Sequence, residues 1–154
     1  MSVFLGDEQT LEADVASLRR FADIVIAAEG YPPTTEVAIL LVDEDQIAEY
    51  NQRHMGHKGP TDVLAFPLEE LEPGSAPKVM PDDPPVALGD IFICPSEVAK
   101  KARKQRIPYD DFIHLLLAHG ILHLMGYDHE ADAEADRMES REDELLAMIG
   151  RSVS

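Results

Sequence analysis

The sequence predicts an α+β domain: a small β-sheet with helices packed on it. Three observations lead there. Apolar residues recur at helical spacing in some stretches, while in others they alternate or run together, without regular alternation of the two kinds. The 154 residues, 45% of them hydrophobic, suit one domain over 1–154 with a core of its own. Six of the 11 prolines lie between 67 and 85, a density that neither helix nor central strand tolerates.

Residues 3–7 read as a short strand. From Thr10 to Glu29, the positions Leu11, Val15, Leu18, Ala22 and Val25 keep helical spacing, and GYPPT ends the helix. EVAILLV (36–42) is near-continuously apolar and β-branched, as a buried strand is. Asp43 can cap a helix through QIAEYNQRHM, and Gly56 stops it. TDVLAFPL (61–68) alternates, and Pro67 puts this strand at an edge or marks its end. Residues 69–86 form a surface excursion. ALGDIFIC (87–94) is the next strand. Pro95 and Ser96 then open a helix bearing KKARKQR, and IPYDD starts another that runs to about Met125. The last helix, roughly 131–149, keeps Ala131, Ala135, Met138, Leu145 and Ile149 on one side.

Charge and cysteine content narrow the class. The single cysteine, Cys94, allows no internal disulfide, which suits a reducing compartment. MSVFLGDEQT turns acidic too early for a secretory leader, and FIHLLLAHGILHLMG is too short and too histidine-rich for a membrane span, so a soluble cytoplasmic protein is expected. The net charge of −17 opposes a nucleic-acid partner taken as a sum. Its distribution does not. Five of the 13 basic residues, Lys100, Lys101, Arg103, Lys104 and Arg106, fall in seven positions, either a solvated helix face or a local anion-attracting patch.

The chemistry concentrates in HGILHLMGYDH (119–129). Residues four apart share a helix face, so His119 and His123 present two imidazoles to one point. Gly126 allows the positive φ that ends a helix, and His129 on the returning chain can supply a third ligand. Three protein ligands leave a zinc ion one open position, the catalytic pattern. Nitrogen ligands favour zinc among available ions. His114, five residues upstream and off that face, reads as a core side chain. Metzincin proteases use the same spacing but place a glutamate after the first histidine; here that position is Gly120. Three neutral imidazoles leave the ion its full +2 charge, which acidifies water and attracts an anionic substrate. An RNA phosphodiester brings its own 2′-hydroxyl, so the missing base counts more against peptide than against RNA cleavage.

HGILHLMGYDH is similar to the signature of the YbeY family, bacterial rRNA maturation factors. GPTDVLAFPLEE (59–70) resembles the family's second block and LGDIFICPSEVAKKA (88–102) its third, in family order. The resemblance implies an α+β fold with a small mixed β-sheet packed against helices and a central helix carrying the three-histidine metal site, zinc on His119, His123 and His129, and a single-strand-specific metal-dependent endoribonuclease. It implies action on the 3′ end of small-subunit rRNA and in late ribosome quality control, with the ribosome as partner and no DNA or membrane. The family commonly has an arginine where Met55 stands and a serine where Ala65 stands.

Asp62, Asp90 and Asp128 are candidates to hold the free imidazole N–H groups, with strand-end or turn roles as the plainer readings. Asp128, inside the motif, is also a candidate catalytic residue. Two other functions compete: a zinc peptidase, which would need a carboxylate such as Glu130, and a non-enzymatic ribosome-associated factor with a structural metal.

Overall fold

The computed structural model describes residues 2–153. In chain order these form β1 (Val3–Asp7), α1 (Val15–Ala28), β2 (Glu36–Leu41), α2 (Glu44–Tyr50), β3 (Val63–Pro67), β4 (Ala87–Ile93), α3 (Pro95–Gln105), α4 (Tyr109–Leu124) and α5 (Asp132–Ala147), and a π-helical turn over Asn51–Met55 extends α2. The sheet is mixed, in the order β1-β2-β4-β3. β1, β2 and β4 run parallel, and β3 pairs antiparallel with β4 at the edge. Pro67 ends β3, where a missing N–H costs the ladder nothing.

Side chains alternate between two cores. Val37, Ile39, Leu41, Ile91 and Ile93 face the larger one, with α1, α4 and α5. Leu64 and Phe92 face a smaller one, closed by Val42, Ile47 and Tyr50 around α2. α4 is apolar on nearly every side because it is enclosed on nearly every side: Leu117, Ile121, Leu122 and Leu124 are fully buried. Each such side chain contributes about 1.5–3 kcal/mol. No helix among the described residues is long and apolar enough to cross a membrane.

Three features differ from the sequence reading by more than a residue or two at an element's end. α1 begins at Val15, not Thr10, because Asp14 caps it by accepting the Ser17 amide. Leu11 and Val15 match the helical period, yet both are exposed. α2 starts at the expected Asp43 cap, closed by a reciprocal bond with Gln46, but becomes π-helical before Gly56 turns the chain at φ +70°. The proline-dense excursion is not wholly a surface feature. Leu71, Ala76 and Val79 pack against the core, and Leu71 presses on the turn after α4.

Candidate metal centre

The open end of α4 and the turn after it carry the three histidines. Gly126 adopts φ +99°, and a Cβ there would lie 2.0 Å from the Leu71 carbonyl oxygen. Only glycine lets the chain reverse while the loop packs this closely. The reversal brings His129 back to His119 and His123, and one ligand atom from each of the three lies within 4.8 Å of the others.

Hydrogen bonds orient the two helical rings. His119 Nδ1 lies 2.6 Å from the Glu142 carboxylate on α5. His123 Nδ1 lies 3.0 Å from the backbone carbonyl of Tyr127. A carbonyl can only accept, and a carboxylate accepts when ionised, so both rings carry their proton on Nδ1. Their Nε2 atoms then face each other at 3.1 Å, lone pair to lone pair. That contact is repulsive unless a cation sits between the nitrogens. A third proton is disfavoured on His123, where burial, and then the neighbouring His119 and His129, push the pKa down. A divalent metal fits. With metal–nitrogen bonds of about 2.0–2.1 Å, two tetrahedral ligands stand about 3.3 Å apart.

The turn is braced from behind. Tyr127 donates its hydroxyl to Glu29 at 2.6 Å, and Arg141 on α5 donates to the same carboxylate at 2.6 Å. Burial, followed by the bond to Glu29, pushes the Tyr127 pKa up to about 12.

Glu142 was not among the carboxylates singled out from the sequence. The structure gives those other positions. Asp62 accepts from the Val63 amide and from Lys101. Asp90 lies within β4 opposite Phe66. Asp128 accepts the His129 amide at 2.7 Å and so shapes the turn beside a ligand. Glu130 is exposed. His114 is the expected core histidine: buried, donating to the Asp110 carbonyl and bonded to Ser17, with its pKa lowered by burial. A signal for Glu142 did exist. It lies four residues after Met138 and three before Leu145, on the buried stripe of α5.

Three cavities border this end, one of them, about 260 Å³, running along α5 past His119, His129 and Glu142; the other two meet at Asp62. Of these two, the first, about 410 Å³, has the three histidines on one side and Met55, Asp62, Ala65 and Pro67 on the other. Both departures from the family pattern, Met55 and Ala65, therefore stand on this wall. The second, about 570 Å³, is lined by Thr61, Asp62, Lys100, Lys101 and Lys104. Asp62 borders both cavities, and Lys101 reaches it at 2.9 Å. Gly120 also borders the histidine cleft. A Cβ on it would meet Ile91 at 3.2 Å, so the glycine sets how closely α4 lies on the sheet.

Comparison with known proteins gives the same picture. The profile of the family described as "Endoribonuclease YbeY" matches residues 6–150. The chain is 41% identical to the Endoribonuclease YbeY of Thermobifida fusca over 99% of this chain and 97% of that one. It is 41% identical to that of Acidothermus cellulolyticus over 95% of this chain and 90% of that one. The solution structure of TM1509 from Thermotoga maritima superposes with a TM-score of 0.62 at 27% identity, covering 96% of this chain and 91% of the other. Motif, fold and overall similarity agree: the chain belongs to the YbeY endoribonuclease family.

Proposed function

We propose that this protein is a zinc-dependent endoribonuclease that cuts single-stranded RNA, with His119, His123 and His129 holding the metal. The observation that carries the reading is the pair of facing Nε2 atoms, 3.1 Å apart, beside a third imidazole. A divalent ion bound there supplies Lewis acidity, which stabilises negative charge on a phosphoryl oxygen and acidifies water. The residues of the chain supply the rest. The histidines would hold the ion against one wall of the cleft, with Asp128 shaping the adjoining turn. The cleft, about 410 Å³, has room for a nucleotide-sized group beside the histidines. Lys100, Lys101 and Lys104 line the adjoining cavity and offer a positive path to a polyanion on a chain of net charge −17.

The biological reading follows the family: maturation of the small-subunit rRNA 3′ end and late ribosome quality control, in the cytoplasm, with the ribosome as partner and neither DNA nor membrane. The peptidase alternative lacks support. Gly120 packs on Ile91 where those enzymes carry their base, and the relatives are endoribonucleases. The structural-metal alternative calls for a fourth protein ligand, whereas this trio opens on a cleft.

The test compares an unstructured RNA, a duplex RNA and casein as substrates, with and without a chelator. The expected result is chelator-sensitive cleavage of the unstructured RNA alone, lost in folded His119→Ala. Casein cleavage without RNA cleavage would overturn the reading.

A further inference from the structure

α5 carries a charge where its packing calls for an apolar residue. Glu142 sits on the stripe made by Met138, Leu145 and Leu146, and its residue is 7% exposed. Taking a carboxylate out of water is costly unless it is well paired. Its neighbour Arg141 does not pair with it, reaching Glu29 instead. The partner of Glu142 is an imidazole: His119 Nδ1, at 2.6 Å. That ring ends at Nε2, one of the two nitrogens that face each other across the proposed metal position.

We infer that Glu142 is a positioning residue for the metal centre, fixing the tautomer and ring angle of His119 so that Nε2 presents its lone pair to the ion. The inference rests on the metal reading above. Without an acceptor at Nδ1, the imidazole is free to move its proton to Nε2, which cannot then bind a metal, and to rotate about its side-chain torsions. The acceptor removes both freedoms before the metal arrives. Such partners behind a ligating histidine typically contribute 10–100-fold to metal affinity. The arrangement also explains why a buried acid is found in α5. In folding terms the position suits leucine, and a leucine there would fill the space without a charge to desolvate.

This separates a positioning role from a structural one. Zinc affinity is measured by competition with a chromogenic chelator, and the ligand field by the visible spectrum of the cobalt(II) form. Two variants are compared with the wild type: Glu142→Leu, which removes the acceptor but suits the apolar stripe, and Glu142→Gln, which keeps an acceptor oxygen. Metal-free Glu142→Leu is expected to stay folded, to bind zinc 10–100-fold more weakly and to show an altered cobalt spectrum. Glu142→Gln is expected to recover most of the affinity and the wild-type spectrum. Wild-type affinity in folded Glu142→Leu, or a Gln variant as weak as the Leu variant, would overturn the inference while leaving the metal reading intact. Should Glu142→Leu fail to fold, Glu142→Gln alone decides: near-wild-type affinity and spectrum support the inference, and a 10–100-fold loss overturns it. Wild-type protein that binds neither zinc nor cobalt would overturn the metal reading, and this inference with it.

Discussion

The histidine centre and the basic strip of α3 lie side by side but are built in different ways. Each helical histidine is fixed by a partner from elsewhere in the chain: Glu142 from α5 for His119, and the Tyr127 carbonyl for His123. Behind Tyr127 stand Glu29 and Arg141, largely out of solvent. Two lysines of the strip, by contrast, are themselves about half exposed, Lys100 paired with Glu44 and Glu97, Lys101 with Asp62. The first region acts over a bond length and depends on geometry. The second acts over several ångströms, tolerates movement and is screened by salt.

Substitutions should separate the two. The largest effect is expected at the centre: His123→Ala should lower RNA cleavage by at least about 10²-fold while leaving the salt dependence of RNA binding unchanged. A change in salt slope would mean that the regions are not independent. Next comes the strip. Changing Lys100, Lys101 and Lys104 to glutamate should weaken single-stranded RNA binding and reduce the slope of log affinity against log salt by about 2, with zinc binding intact. An unchanged slope would return these lysines to a solvated helix face.

Effects on the brace are smaller. Gly126→Ala should cost about 2–3 kcal/mol, from a residue forced to φ +99° and the clash with Leu71. That would appear as a fall in melting temperature of about 4–12 °C, with zinc affinity falling too because His129 is displaced. Tyr127→Phe should cost about 1–2 kcal/mol near neutral pH, read from denaturant unfolding, by leaving Glu29 short of a donor. Its pH dependence has a definite sign. The folded Tyr127 pKa, about 12, lies above the ordinary value of 10.0, so its contribution is whole below pH 10 and is lost as pH rises toward 12. The stability difference between wild type and Tyr127→Phe should therefore narrow over that range.

Much of this was legible from local pattern. The spacing of HGILHLMGYDH brings three rings together because four residues make one helical turn and a glycine permits the reversal. The Asp43 cap, the buried β2 and the edge position of Pro67 follow from similarly local rules. What escaped depends on contacts distant in sequence. Glu142 is 23 residues from His119 and lies in a segment so acidic that one more carboxylate does not stand out. Its place on the apolar stripe was the available clue. Leu11 misled in the opposite way, matching the helical period where the Asp14 cap prevents a helix from extending. The role of Gly120 could not be read from the motif, because its neighbour Ile91 belongs to a strand.

Cleavage here depends on a metal held by the three histidines. The most direct measurement is the rate of single-stranded RNA cleavage by chelator-stripped protein as zinc is added back in substoichiometric steps. The account predicts no cleavage without metal and a linear rise that breaks at one zinc per chain. Cleavage by the stripped protein at the full rate, or a rate indifferent to zinc occupancy and to other divalent metals, would contradict it.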